Sequence, residues 1–238
     1  MEQKPVSGSM SRRVIAIIPA YDEAERIAPV IHKAQNHLPV LVVDDGSADH
    51  TSAVASQEGA QVVRLAENQG KGAALQAGFG WAIDQGYSAM LTLDADGQHD
   101  PDEIPQFIKA YETTSADLII GRRDFSDMPF IRRLANWSGK VTFSWAVGQD
   151  IPDNQSGFRL LSSRMASAML ASCESGFELE VEMIVICIQR GFTLDWVPIR
   201  TIYTGAGSHI APLQHTRNFL RMIQKTRSAR SSTQMRNG

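Results

Sequence analysis

The chemistry of this chain is densest where an apolar run ends in acid: Leu91-Thr92-Leu93-Asp94-Ala95-Asp96-Gly97-Gln98-His99-Asp100-Pro101. Residues i and i+2 of an extended segment share a face, so Asp94 and Asp96 can point the same way off a strand end. Two anionic oxygen donors suit a hard divalent cation such as Mg²⁺ or Mn²⁺, which leaves its other positions to water and phosphates. Gln98 can add a neutral oxygen. The competing explanation is a plain turn, since Asp and Gly are common after strands. Two further apolar runs also end in acids, at Pro19-Ala20-Tyr21-Asp22-Glu23 and at Asp44-Asp45-Gly46-Ser47. One such acid is an ordinary helix cap. Acids after three strands of one sheet crowd like charge unless a cation or a donor-rich ligand meets them. Asp45 can accept hydrogen bonds from a base or ribose, and Tyr21 can stack on a base.

Stepping from strand ends to elements, strands are expected at Val14–Ile18, Val40–Asp44, Gln61–Leu65, Ala89–Leu93 and Asp117–Gly121. Helices are expected near Asp22–Asn36, Asp49–Gln57, Lys71–Asp84 and Pro101–Thr113. Asp22 with Glu25, and Asp100 with Pro101 and Glu103, supply start signals. This alternation predicts an α/β fold with flanking helices and a mostly parallel central sheet, whose ligand edge lies outside the carboxyl ends of the strands. The second half is looser. Met128 to Val147 is aromatic-rich and helix-like, Gly157–Leu161 and Thr193–Val197 read as strands, and Met165–Leu170 and Glu180–Gln189 read as helices.

Asn68-Gln69-Gly70-Lys71-Gly72 opens a helix, where glycine permits close backbone approach and a lysine attracts anions. The spacing is not that of a Walker A loop, and no GxGxxG turn follows the first strand, which argues against a Rossmann dinucleotide site.

The 238 residues are 43% hydrophobic, enough for a full core, and the net charge of -3 carries no overall nucleic-acid signal. Cys173 and Cys187 sit in apolar helix-like segments without metal-ligand spacing, as buried thiols of a reducing compartment do. No signal peptide and no run of the ~20 apolar residues needed to cross a bilayer is visible, so membrane contact is expected to be peripheral. After Pro212 the chain carries Arg217, Arg221, Lys225, Arg227, Arg230 and Arg236 and no acid, interleaved with Leu213, Phe219, Leu220 and Ile223. A basic amphipathic tail of this kind suits an anionic membrane surface or a membrane-anchored partner. The division expected is a leader over 1–12, a catalytic domain over 13–211 with halves meeting at 121–122, and the tail over 212–238.

The motifs Ile18-Pro19-Ala20-Tyr21-Asp22-Glu23, Val42-Val43-Asp44-Asp45-Gly46-Ser47, Asn68-Gln69-Gly70-Lys71-Gly72 and Leu93-Asp94-Ala95-Asp96-Gly97-Gln98-His99 stand in an order that resembles glycosyltransferase family 2. The likeness is strongest to its dolichyl- or polyprenyl-phosphate mannosyl- and glucosyltransferase branch. Gly121-Arg122-Arg123, Asp153-Asn154-Gln155-Ser156-Gly157-Phe158-Arg159 and Phe177-Glu178-Leu179-Glu180 extend it, so that it runs from about Val14 to Ser208. The resemblance implies a GT-A fold, a nucleotide-sugar donor and Mg²⁺ or Mn²⁺. By it Pro19, Tyr21, Glu23 and Asp45 hold the nucleoside with Lys71 beside it. Asp94 faces the nucleotide–metal region, and Asp96 and Gln98 ligate the metal. Asp153 and Gln155 lie near the sugar and diphosphate, while Arg122 and one of Arg132 or Arg133 bind the acceptor phosphate.

The implied reaction is an inverting transfer of mannose or glucose from a GDP- or UDP-sugar to a polyprenyl or dolichyl phosphate at the cytoplasmic face of a membrane. A saccharide or other hydroxyl acceptor is the alternative and needs a base, for which Glu178 or Glu180 is available unless they are simply acids favoured at a helix start. A non-catalytic nucleotide-sugar-binding protein is the third reading. Asp22 stands where the family often has asparagine. Thr204-Gly205-Ala206-Gly207-Ser208-His209 stands where relatives carry a mobile, often basic loop.

Overall fold

The computed structural model describes residues 13–123, 143–145, 147–171 and 179–200. Seven strands form one sheet: β1 Val14–Ala20, β2 Val40–Asp44, β3 Gln61–Arg64, β4 Ala89–Thr92, β5 Leu118–Arg123, β6 Arg159–Ser162 and β7 Leu194–Ile199. Their order is β3-β2-β1-β4-β6-β5-β7. All pairings are parallel except those of β6, which runs antiparallel to both β4 and β5. The fold is the expected GT-A-like α/β arrangement. The reversed strand was not legible in Gly-Phe-Arg-Leu-Leu, because direction is set by the connection and not by the apolar run itself.

Helices cover both faces. Residues of α1 (Ile27–Gln35), α2 (Thr51–Gln57) and α4 (Ile104–Thr114) share a core with Ala16, Ile18, Val42, Leu91 and Leu160. On the other face α3 (Lys71–Asp84), α5 (Ser163–Met169) and α6 (Leu179–Gln189) pack with Ile15, Ile17, Leu41, Val43, Met90 and Leu161. Alternate residues of β1 thus feed opposite cores, as period-two geometry requires. The α3 helix sits unusually close to the sheet: a Cβ on Gly78 would lie 2.8 Å from Ile17 Cγ2. That approach fixes where Lys71, the first residue of α3, stands relative to the strand ends.

Most boundaries fall within two residues of expectation, with one instructive exception. Helix α1 starts at Ile27 rather than near Asp22. Asp22 adopts a left-handed backbone (φ 52°), a region that Asp and Asn tolerate better than most residues. Its carboxylate caps a different segment, accepting the N–H groups of Ala48 (2.8 Å) and Asp49 (3.3 Å). Asp100 fulfils its expected role by accepting the Asp102 N–H ahead of the 3₁₀ turn Pro101–Glu103, which leads into α4. Cys187 is buried, and burial pushes its thiol up to about 12, as suits an inert core group. No helix among the described residues is long and apolar enough to cross a membrane. Cys173, the helix-like stretch before 143, the glycine-rich loop at 204–209 and the basic tail at 212–238 lie outside the described residues.

Candidate active site at the carboxyl edge of the sheet

Three strand ends and two later segments meet at one edge. Beyond β4 the alternation persists: Leu93 and Ala95 are buried while Asp94 and Asp96 are half-buried. The two acids are thus the partly exposed positions of the turn that follows the strand. Asp94 receives Lys71 Nζ at 2.7 Å, and the same ammonium lies 2.8 Å from Glu180 Oε1 at the start of α6. Burial opposes the Asp94 charge, but the Lys71 ammonium, helped by His99 and Arg123, overcomes it and pulls the carboxyl down to about 2. Burial likewise works against the Lys71 charge, and the two carboxylates more than compensate, raising its pKa. His99 closes the turn: the Asp94 N–H donates to its Nδ1 at 3.2 Å. That nitrogen is thus the acceptor in this bond, and burial lowers the pKa of the ring.

Asp96 accepts the N–H of Gln98 at 3.0 Å, which brings the amide and the carboxylate onto one turn. Glu23, from the end of β1, feels this turn. Its pKa is raised by burial and, against the pull of Arg26 at 3.0 Å, by the charges of Asp96 and Asp94. The predicted crowding of acids from β1 and β4 is therefore real. The buried Oε2 of Glu23 is the oxygen paired with Arg26 Nε, and it accepts no hydrogen bond of ordinary geometry among the described residues. Tyr21 stands at the mouth, 45% exposed, its ring available for stacking. Pro19 is buried in β1 beyond the last β4 pairing, Ile17 with Thr92, where a missing N–H costs no ladder bond.

The β2 end is built differently from a simple ligand site. Asp44 is fully buried and accepts the Ser47 N–H at 2.8 Å and the Ser52 hydroxyl. Asp45 accepts the N–H groups of Gln69 and Gly70, both at 2.8 Å, one on each carboxylate oxygen. Its first duty is to clamp the loop that leads into Lys71. Gly46 makes this possible: at φ 72° a Cβ there would sit 2.6 Å from the Glu67 carbonyl carbon.

The segment 153–157 closes the opposite side. Asp153 is held by a bidentate pair from Arg123, Nε at 2.7 Å and Nη2 at 2.9 Å, and accepts the N–H groups of Gln155 and Ser156. Burial would raise its pKa, but these bonds and the Arg123 charge lower it. Gln155 itself is exposed. Arg122 is exposed at the end of β5, while its neighbour Arg123 carries the charge felt at Asp94. Arg132, Arg133 and Glu178 lie outside the described residues.

Three features had no assigned role in the sequence. Gly157 lies directly on the Lys71–Asp94 pair: a Cβ there would be 2.9 Å from Asp94 Oδ2 and 3.1 Å from Lys71 Nζ. Its carbonyl accepts the Thr92 hydroxyl at 2.7 Å, which ties it to β4. Arg159 is fully buried and donates to the carbonyls of Ser156 (2.6 Å), Asn154 (3.2 Å) and Glu180, stapling the 153–157 segment to the start of α6. Burial lowers its pKa to about 10, so it remains charged near neutrality. Arg123, rather than Arg122, orients Asp153. An arginine inside an apolar strand and a glycine just before it were the available signals.

No group of three or more His, Cys, Asp or Glu among the described residues is arranged to hold a metal ion. The β4 turn carries two carboxylates, Asp94 and Asp96, and Gln98, with Asp94 paired to Lys71. One or two carboxylates are what a Mg²⁺- or Mn²⁺-type ion uses when phosphates complete its shell.

Residues 15–170 match the model of glycosyl transferase family 2. The chain is 32% identical over 202 residues to an undecaprenyl-phosphate mannosyltransferase of Micrococcus luteus, covering 79% of this chain and 82% of the relative. It is 29% identical over 216 residues to a UDP-N-acetylglucosamine–dolichyl-phosphate N-acetylglucosaminyltransferase of Methanococcus voltae, covering 80% and 86%. Among solved structures, glucosyl-3-phosphoglycerate synthase of Mycobacterium tuberculosis in complex with Mn²⁺ and uridine-diphosphate-glucose superposes with a TM-score of 0.69 at 18% identity. That match covers 90% of this chain and 77% of the synthase and establishes the shared fold. The acid-lined carboxyl edge therefore has its family: the chain belongs to glycosyltransferase family 2 and is a glycosyltransferase.

Proposed function

We propose that the protein transfers a hexose, mannose or glucose, from a GDP- or UDP-sugar to a polyprenyl or dolichyl phosphate, with inversion and with a divalent ion. The observation that carries this reading is the Lys71–Asp94 pair at 2.7 Å at the carboxyl edge of the sheet, where the charges of Asp94 and Asp96 also reach Glu23. The relatives from Micrococcus luteus and Methanococcus voltae are named for lipid-phosphate acceptors and differ in the sugar moved, which supports the acceptor class more than the donor.

In this reading Asp96 and Gln98 hold the ion, Tyr21 stacks on the base, and the donor diphosphate lies along the start of α3. When bound, the ion neutralises charge that grows on the departing diphosphate. Arg122 receives the acceptor phosphate, aided by Arg132 or Arg133, since guanidinium donors match phosphate oxygens bidentately. A phosphate oxygen forms the new bond to the anomeric carbon as the bond to the diphosphate oxygen breaks on the opposite face. The acceptor is already anionic, so no general base is needed. Glu180 fits this account better than the hydroxyl-acceptor alternative, because its Oε1 already faces Lys71 at 2.8 Å. The run of basic residues after Pro212 supports work at the cytoplasmic face of a membrane.

The test is transfer of radiolabelled sugar from GDP-mannose, UDP-glucose or UDP-N-acetylglucosamine to undecaprenyl and dolichyl phosphate in detergent. Product that needs Mn²⁺ or Mg²⁺ and vanishes with chelator supports the reading. Transfer to a saccharide but to no lipid phosphate overturns it, as does transfer undiminished in chelator.

A further inference from the structure

Lys71 is a cation with two owners, one half-buried and one buried. Its ammonium is shared between Asp94 at 2.7 Å and Glu180 at 2.8 Å. The Gly157 backbone presses on the pair, so close that a methyl group there would touch both partners. Glu180 is only 5% exposed, and its second oxygen meets no hydrogen-bond donor among the described residues. A buried carboxylate so poorly satisfied is costly unless its charge holds something in place. What it holds is Lys71, and Lys71 in turn covers Asp94. Asp96, two residues further, accepts the Gln98 N–H and has no ion pair among the described residues.

We propose that Lys71, held from behind by Glu180, occupies Asp94 in the nucleotide-free enzyme and so leaves Asp96 as the divalent ion's carboxylate ligand. The ion then binds firmly only together with a nucleoside diphosphate. Lys71 is a built-in counter-ion, and Glu180 is a positioning residue acting through it. The inference rests on the function proposed above. A hard ion with one carboxylate and one amide has few protein ligands, and phosphate oxygens must supply the rest. Were Asp94 bare, the turn would offer two carboxylates before any nucleotide arrived.

The experiment is Mn²⁺ titration of the full chain, followed by the electron paramagnetic resonance of free Mn²⁺, alone and with UDP or GDP. Lys71→Met is compared with Lys71→Met/Glu180→Gln. The double variant keeps the net charge of the Asp94–Lys71–Glu180 group unchanged and strands no second carboxylate. The wild type is expected to bind Mn²⁺ about tenfold or more tightly with nucleotide than without it, a coupling of about 1.4 kcal/mol. Either variant should bind Mn²⁺ without nucleotide at least about fivefold more tightly than the wild type, and its nucleotide enhancement should shrink. A merely structural role for Lys71 and Glu180 would move the melting temperature and leave that enhancement intact. Nucleotide-free affinity less than about fivefold tighter in the folded variants overturns the proposal. So does a wild type whose Mn²⁺ affinity is indifferent to nucleotide, a result that needs no variant. A wild type that binds no Mn²⁺ under any of these conditions refutes the functional reading instead.

Discussion

Gly157→Ala tests the geometry of the site with a single methyl group. Gly157 is buried, and the added Cβ would fall 2.9 Å and 3.1 Å from the two Asp94 carboxylate oxygens and 3.1 Å from Lys71 Nζ. Ordinary contact starts near 3.4 Å, so the pair must retreat by about 0.5 Å. Asp94 cannot retreat freely, because its backbone N–H is bonded to His99 and its side chain is too short to swing aside. Overpacking of this degree costs about 1–3 kcal/mol. For a fold of this size that is a fall of about 2–12 °C in melting temperature. The rate should suffer more than the fold, since displacements of about 1 Å at a reacting centre cost on the order of 100-fold, and half of that predicts a loss of about tenfold in kcat/KM. Gly80→Ala is the matched control: within α3 its Cβ would meet nothing nearer than Leu170 Cδ2 at 3.9 Å. Helix propensity should make that variant more stable by about 0.5–1 kcal/mol with unchanged activity. Melting curves and steady-state transfer assays on both proteins decide the matter. A Gly157→Ala enzyme with wild-type melting and wild-type kcat/KM would refute the placement of Asp94 beneath this glycine.

Two further outcomes follow from buried charge. Arg159→Met leaves the carbonyls of Asn154, Ser156 and Glu180 without their donor and should destabilise the protein by about 3–5 kcal/mol, read as a fall in melting temperature of about 10 °C or more. Glu103 is buried and accepts the Arg200 N–H on both oxygens, at 3.0 and 3.3 Å, yet burial raises its pKa. The folded state therefore holds this proton more tightly than the unfolded chain, so ionising Glu103 costs stability as pH rises through its raised folded value. Glu103→Gln, which retains an acceptor, should melt above the wild type at pH 7 and lose that advantage towards pH 4. A difference in melting temperature independent of pH would contradict this sign.

Much of the sheet was legible because buried parallel strands are written as unbroken apolar runs, as in Val40-Leu41-Val42-Val43. The acid pair was legible for a related reason: the alternation of buried and half-buried residues carries past the strand end through Asp94 and Asp96. What stayed hidden was every partnership across long sequence distance. Lys71 and Glu180 are joined only once α3 and α6 pack on the same face, and nothing local to either residue announces it. Arg122 and Arg123 are adjacent, and only the packing around β5 shows that Arg123 grips Asp153 while Arg122 is exposed. Asp22 reads as a helix cap in sequence, but its left-handed backbone sends it to the β2 loop. Asp45 reads as a ligand-binding acid, and in the fold both its oxygens are engaged by the Gln69 and Gly70 amides.

The charges at this edge pair off unequally, and the inequality has a direction. Asp94 has Lys71, Asp153 has Arg123, and Glu23 has Arg26 at the rim. Arg159 sits among backbone carbonyls with the Glu180 and Asp153 charges close enough to raise its pKa against burial. Asp96 and Asp45 have no ion pair among the described residues; Asp45 accepts two backbone amides, and Asp96, on the turn that also carries Gln98, accepts one. An anionic diphosphate that approaches this turn alone meets a negative charge in a partly desolvated setting, where repulsion is stronger than in water. The same diphosphate carrying a divalent ion meets attraction. On the proposed function, the site would thus discriminate between a bare nucleotide and a metal-bound one through Asp96. Its selectivity would then depend on Lys71 keeping Asp94 out of the competition.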